Sequence, residues 1–287
     1  GLQDHAHADR QRRLGRSVQR LPHTLWFVVL LFSNFSIHPL AMSRPWGFEI
    51  AGLAVHITGD GPRFHPAGFA PTAPPALTLV ASPDSSVLRP AGEPDAEQDS
   101  WAAFCGGHGD QRHVTFLAKS GYFVPPEIIR VDVGETASVG ALRYRPDVNA
   151  ALVTFPLDQL LLIHLLSRRQ GMVVHGAAIS DGRRGVLLIG PSGAGKTTTA
   201  RAAADAGLAV LSDERTVIRL IDGVFHMAGT PWYGDGAFYD PRVLPVAAIC
   251  ALTQSDRDAL EPITPVRMLA ELYRCHFPPL WSDEATA

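Results

Sequence analysis

The sequence predicts an α/β fold, a P-loop core on a mixed sheet with a small β-rich part ahead of it. Three observations lead there. Gly190-Pro191-Ser192-Gly193-Ala194-Gly195-Lys196-Thr197 fits G-x-x-x-x-G-K-[ST] throughout, between an apolar strand and an alanine-rich helix. The strands expected over 172–179 and 186–189 are separated by about six residues. A parallel crossover needs a dozen or more, so these two must pair antiparallel and the sheet must be mixed. Residues 48–149 hold short apolar runs punctuated by Pro, Gly, Asp and Ser.

The chain has 287 residues, 46% of them hydrophobic and 18% charged, enough for about two domains. We divide it into 1–41, a non-structured or upstream-translated segment; 42–150, a β-rich accessory domain; and 151–287, the P-loop domain. The net charge of −3 argues against a nucleic-acid binder working through a broad positive field. Cys105, Cys250 and Cys275 are odd in number and far apart, which fits reduced thiols better than a disulfide framework. Cys105-Gly106-Gly107-His108 has the look of half a metal site without a second half.

Residues 1–20 are polar and arginine-rich, and an apolar run follows from Leu25 to Phe32. This reads as a signal peptide, as a membrane anchor well short of the roughly 20 apolar residues a span needs, or as translated upstream sequence with Met42 as the start. The last is favoured, because the stretch from Met42 reads as the opening of a domain.

Strands are expected over 48–57, 76–81, 114–118 and 128–133, with a surface loop over 82–100. Residues 156–170 are a helix: Pro156 suits the first turn, Asp158 the positive end, and Arg168 and Arg169 the negative end. His164, inside its leucine-rich face, is read as a packed histidine. Beyond the phosphate loop, 197–206 is a helix that Gly207 can terminate. Residues 208–211 are a buried strand ending in Ser212-Asp213-Glu214, and 216–221 and 224–227 form a hairpin about Asp222-Gly223. Residues 246–252 are a strand, and 265–275 an amphipathic closing helix. The stretch 229–236, GTPWYGDG, is either a substrate or nucleotide loop or an ordinary loop with buried aromatics.

The chemistry concentrates at the phosphate loop. Its glycines let several backbone N–H groups point inward, and the following helix adds its positive end. The phosphate-binding set is Gly190, Ser192, Gly193, Ala194, Gly195, Lys196, Thr197 and Thr198. Lys196 is expected to reach the β- and γ-phosphates of ATP, and the Thr197 hydroxyl to ligate Mg²⁺. Asp213 and Glu214 stand at a neighbouring strand end, where ligands of α/β sheets gather. One can bind Mg²⁺ and the other accept a proton from an attacking hydroxyl. Arg242 is a candidate for stabilising transferred charge.

The run His175-Gly176-Ala177-Ala178, a hairpin, GPSGAGKT, a helix and Leu211-Ser212-Asp213-Glu214-Arg215 resembles the core of the HPr kinase/phosphorylase family. The resemblance covers about 172–265. It implies the fold that family shares with ATP-dependent phosphoenolpyruvate carboxykinase. It also implies catalytic roles for Lys196, for Asp213 as proton acceptor and for His175 beside the transferred phosphate, with Thr197 and Glu214 at the metal. Asp-Glu replaces the family's Asp-Asp, Thr197 its serine, and no Arg-Gly-Leu-Gly stretch follows. The chain therefore looks closer to the shorter HPr-kinase-related proteins, some of which phosphorylate a serine of a precursor peptide.

The expected function is a cytoplasmic ATP-dependent serine kinase, with ATP and Mg²⁺ as cofactors. Its partner is a protein or peptide bearing a serine hydroxyl, an HPr-like protein or a precursor peptide. No nucleic acid and no membrane are expected, and a homo-oligomer is left open. The alternatives are an ATP-binding regulatory module without phosphotransfer and a small-molecule P-loop kinase.

Overall fold

The first strands, β1 (Trp46–Ile50) and β2 (Leu53–Gly59), are a hairpin and not the single run expected over 48–57. Ala51 and Gly52 both take positive φ, 54° and 71°, the two-residue turn whose twist suits a hairpin. The computed structural model describes residues 46–59, 68–86, 89–107, 112–118, 129–134, 138–146 and 153–281. The apolar run near the N-terminus and His108 of the half metal site lie outside the described residues.

β1 and β2 open an eight-stranded sheet. β3 (Pro75–Pro83) runs parallel to β2, and β8 (Val139–Tyr144) runs parallel to β3. β7 (Ile129–Gly134), β6 (His113–Ala118), β5 (Trp101–Gly106) and the two-residue β4 (Ala96–Glu97) continue it antiparallel, in the order β1-β2-β3-β8-β7-β6-β5-β4. Val131 and Val133 alternate inward along β7, between the half-buried Arg130 and Asp132, as period-two packing of one face requires. β4 falls inside the stretch expected to be loop, and β5 and β8 had no counterpart among the expected strands.

Helix α1 (Leu157–Ser167) is buried from Leu157 to Leu166, Asp158, Gln159 and His164 included. Its sequence, LDQLLLIHLLS, is apolar nearly all round, and such a helix belongs inside a core. One apolar cluster joins Phe48, Leu77 and Phe116 of the large sheet, Leu161 and Leu162 of α1, and Val173, Val217 and Trp232 further along the chain. These elements all belong to one compact unit, Ile37–Ala287.

The second sheet closes on itself. β9 (Gly171–Ser180) pairs antiparallel with β10 (Gly185–Ile189), from Gly185 opposite Ser180 to Ile189 opposite Gly176, so the hairpin over 180–185 is present. On its other side β9 pairs with β12 (Arg215–Ile221), which pairs with β13 (Val224–Ala228) and then β14 (Val243–Ala251), all antiparallel. β14 returns to lie parallel to β10. The ring β9-β12-β13-β14-β10 is thus a barrel, and closure removes the free edges an open sheet leaves. β11 (Ala209–Ser212) extends the line of β12 along β9, and β15 (His276–Phe277) pairs with the other half of β9. Helices α2 (Lys196–Asp205) and α3 (Pro265–Cys275) accompany the barrel.

The expected α/β class is therefore corrected. Among the described residues 44% lie in strands and there are three helices, so the molecule is predominantly β, with a barrel and a large second sheet. The phosphate loop leaves a barrel strand and not a helix-covered open sheet. The physical reason is in the connections. Only α2 stands between successive barrel strands with the length of a crossover helix. The parallel pair β10–β14 is reached around the ring, through hairpins and the loop after β13. Among the described residues no helix is long and apolar enough to cross a membrane.

Candidate phosphate-binding site

The loop over 190–197 joins the end of β10 to the start of α2. Gly190, Gly193 and Gly195 have φ of 151°, 81° and 104°, conformations closed to most side chains. At Gly190 a Cβ would also lie 2.9 Å from the Leu252 carbonyl oxygen. The loop is braced from the segment after β14: Leu252 N donates to Ile189 O at 2.8 Å, and Gln254 Nε2 donates to Gly193 O at 2.9 Å. Ser192, Gly193 and Thr198 are exposed, and Ala194, Gly195 and Thr197 half-buried, so the outer face of the loop is open to a ligand.

Lys196 is buried, and its Nζ donates to the carbonyls of Gly190 at 2.8 Å and Pro191 at 3.0 Å. Burial draws its pKa below the ordinary lysine value, while Cys275 and Glu214 nearby act the other way. Cys275, at the end of α3, is thereby a neighbour of the loop lysine that nothing in the sequence pattern announced.

The break between β11 and β12 carries both acidic candidates. Ser212 Oγ donates to Arg215 O at 2.8 Å and accepts from the amides of Glu214 and Arg215, which turns the chain sharply. Glu214 lies toward His175, with Oε1 3.5 Å from Nδ1. The hydrogen bond from His175 lowers the Glu214 pKa against the opposing effect of burial, and Arg215 and Lys196 lower it further. His175 and Glu214 are in contact, and Glu214 and Lys196 lie within electrostatic reach of each other.

Asp213 is placed differently. It is fully buried, and its two oxygens accept from backbone amides, Oδ1 from Gly234 at 3.0 Å and Oδ2 from Gly236 at 2.7 Å. Arg242 is bound to Asp240 two residues away, with Nε 2.9 Å and Nη2 2.6 Å from Oδ2.

The stretch GTPWYGDG divides between its two readings. Trp232 is buried and donates to Asp158 of α1 at 3.0 Å, whereas Tyr233 is half-buried and stacks on Tyr239 at 5.7 Å. Arg201 of α2 donates to Asp235 O at 2.7 Å. Gln254, Arg201 and Asp158 were not singled out for these contacts, because each partner lies far along the chain and is met only in the fold. Among the described residues no three His, Cys, Asp or Glu side chains converge as a metal site. Thr197 and Glu214 suit Mg²⁺ as partial ligands, since that ion keeps waters and takes phosphate oxygens.

A family described as SynChlorMet cassette protein ScmC matches residues 145–283, which is 139 of the 287 residues. The match begins one residue after β8 ends, so it takes in α1, the barrel and the phosphate loop and omits the eight-stranded sheet. No curated protein matches. The resemblance to the HPr kinase/phosphorylase family is corrected by this result: the family that the barrel half matches is a different one. A phosphate loop, a histidine on a strand and an acidic strand end are short elements, and function sites of this kind recur on different frameworks.

Proposed function

We propose that this protein binds Mg·ATP at the loop over 190–197 and transfers the γ-phosphoryl group to a serine hydroxyl of a protein or peptide. The observation that carries the reading is the convergence at Lys196. A buried ammonium sits at the mouth of a glycine loop, within electrostatic reach of Glu214, which contacts His175. The amides of Gly193 and Gly195 and the start of α2 suit phosphate oxygens, while that of Ala194 donates to Pro191 O at 3.2 Å and shapes the loop. Bound phosphate would draw Lys196 from the Gly190 and Pro191 carbonyls, a better partner replacing two neutral ones. Thr197 and Glu214 would hold Mg²⁺, which would supply charge neutralisation during transfer. His175, with Nδ1 3.5 Å from Glu214 Oε1, would take the proton of the acceptor hydroxyl. ATP as donor puts the activity in the cytoplasm.

The fate of Asp213 favours a second reading, an ATP-binding module that transfers nothing. Asp213 is fully buried and both of its oxygens hold backbone amides, a structural task and not one facing an acceptor. The experiment that separates the two is incubation of the protein with Mg²⁺ and γ-labelled ATP in extract of its source cells, beside Lys196→Ala and His175→Asn. A labelled band lost in both variants supports transfer. ATP binding that is lost only in Lys196→Ala, with no labelled band in any sample, supports the binding module.

A further inference from the structure

We propose that Asp213 and Arg201 are positioning residues: together they hold the segment from Gly234 to Gly236 as a fixed wall of the phosphate site, and Asp213 is not the group that takes the acceptor's proton. The inference deepens the phosphate-site reading and rests on it.

Three consecutive residues of the wall are held from two directions. Gly234 N and Gly236 N donate to the two oxygens of Asp213, and Asp235 O accepts from Arg201. The turn closes on itself as well, since Ala237 N donates to Gly234 O at 3.0 Å. Side chains are excluded where the grip is tightest. A Cβ on Gly236 would lie 2.5 Å from Asp213 Oδ2, and one on Gly234 would lie 3.0 Å from Glu214 Oε2. The wall thus lies against the carboxylate that also contacts His175. Just beyond it, Phe238 packs into the cluster of Ala200, Ala203 and Ala204 along α2.

Arg201 belongs to the helix whose first residue is Lys196. A helix is stiff over five residues, so phosphate bound at its N-terminus and the wall gripped by its second turn share one rigid element. Asp213, one residue before Glu214, fastens the other side of the wall to the β11–β12 break. Nucleotide and wall are thereby mechanically joined through α2. A proton acceptor must reach the attacking hydroxyl, and Asp213 is fully buried with an amide of the wall on each oxygen.

The test is hydrogen exchange of the 229–240 segment in the full chain, with and without Mg·ATP, while ATP affinity is followed by calorimetry. The wild type should show slow exchange at the Gly234 and Gly236 amides, slowed further by Mg·ATP. Asp213→Asn, which can accept only through one oxygen, should exchange there at least ten-fold faster, with barrel amides unchanged and ATP affinity within about three-fold. Arg201→Ala should bind ATP and lose the nucleotide-dependent slowing, and Arg201→Lys, which still donates to a carbonyl, should recover it. That recovery would not follow if Arg201 merely supported the fold. If Asp213→Asn does not fold, Gly236→Ala opens the same contact from the wall side and should give the same local acceleration. Unchanged exchange in these variants overturns the proposal, as does nucleotide-dependent slowing that persists in Arg201→Ala. Failure of the wild type to bind Mg·ATP overturns the phosphate-site reading and the nucleotide coupling with it, while the grip of Asp213 is then judged on exchange alone.

Discussion

The indole Nε1 of Trp232 donates to Asp158 Oδ2 at 3.0 Å, deep in the core and across 74 residues of sequence. The same carboxylate accepts from the Gln159 amide at 2.8 Å through Oδ1. This pair fastens the loop over 229–236 to the buried helix α1, and several measurable consequences come from it and from its surroundings.

Replacing Trp232 by Phe keeps most of the apolar contact and removes the donor. Asp158 is then left buried with one oxygen unsatisfied, a change that costs about 2 kcal/mol. Thermal unfolding followed by circular dichroism should show a fall of several degrees, on the order of 2–4 °C per kcal/mol for a chain of this size. An unchanged melting temperature would mean that the indole bond contributes nothing to holding the loop.

Two buried groups of α1 give opposing pH dependences. Burial raises the Asp158 pKa to about 6, against the bonds from Trp232 and Gln159 that lower it. The unfolded carboxyl ionises first, so the stability contributed by Asp158 is present at low pH and lost as pH rises from about 4 to 6. The sum is about 3 kcal/mol by proton linkage. Burial, aided by Arg168, lowers the His164 pKa to about 3. Here the unfolded imidazole takes its proton first, so stability is lost as pH falls from about 6.5 toward 3, by about 5 kcal/mol over the whole range. Between pH 4 and 6 the two slopes nearly cancel. Urea unfolding across this window should show that Asp158→Asn makes stability rise more steeply with pH. His164→Gln should make it fall with pH.

Lys196→Ala removes the one buried ammonium of the glycine loop. If the loop holds the phosphates of ATP, the dissociation constant for Mg·ATP should rise on the order of 100-fold, or about 2.7 kcal/mol. The melting temperature without nucleotide should fall as well, since one of the two bonds lost ends on the carbonyl of the buried Gly190, so affinities are compared where both proteins are folded. Calorimetric titration of both proteins decides it, and equal affinities would sink the phosphate-site reading.

Gly229 precedes the wall where three chain segments crowd together. A Cβ there would run into the carbonyl oxygens of both Asp240 and Leu211, neither of which is a side chain free to swing aside. Gly229→Ala should therefore destabilise by about 3 kcal/mol, near the upper end of ordinary overpacking. Chemical denaturation measures it, and a cost under about 0.5 kcal/mol would show that the Leu211–Asp240 contact is looser than this packing implies.

Local elements were legible in the sequence because local forces determine them. The span of α3, Pro265–Cys275, is the one expected, since Pro265 occupies its first turn and Thr264 caps it by accepting from Arg267 N. Asp222-Gly223 sets the β12–β13 register, and both residues take the positive φ that such a turn needs. The short spacing after β9, four residues in the structure, dictated an antiparallel β10, and the loop sequence placed Lys196 at the start of α2. Strands β5 and β8 of the large sheet were missed: their runs, WAAFCG and VGALRY, are short and rich in small residues, and only cross-strand partners make them strands.

What the sequence determined by itself is the glycine loop over 190–197, its helix and the hairpins, each specified by residues within a few positions of one another. What the tertiary structure alone decided is the class of the fold and the employment of the acidic pair. Whether β14 returns to β10 and closes a barrel depends on pairings between residues more than 60 positions apart, such as Gly185 and Val246, and no local propensity encodes that closure. Asp213 and Glu214 are adjacent carboxylates, and nothing local in the sequence says which of them is buried. In the β11–β12 break one is buried under the amides of Gly234 and Gly236 and the other lies toward His175, because a chain that turns there must send neighbouring side chains to different faces.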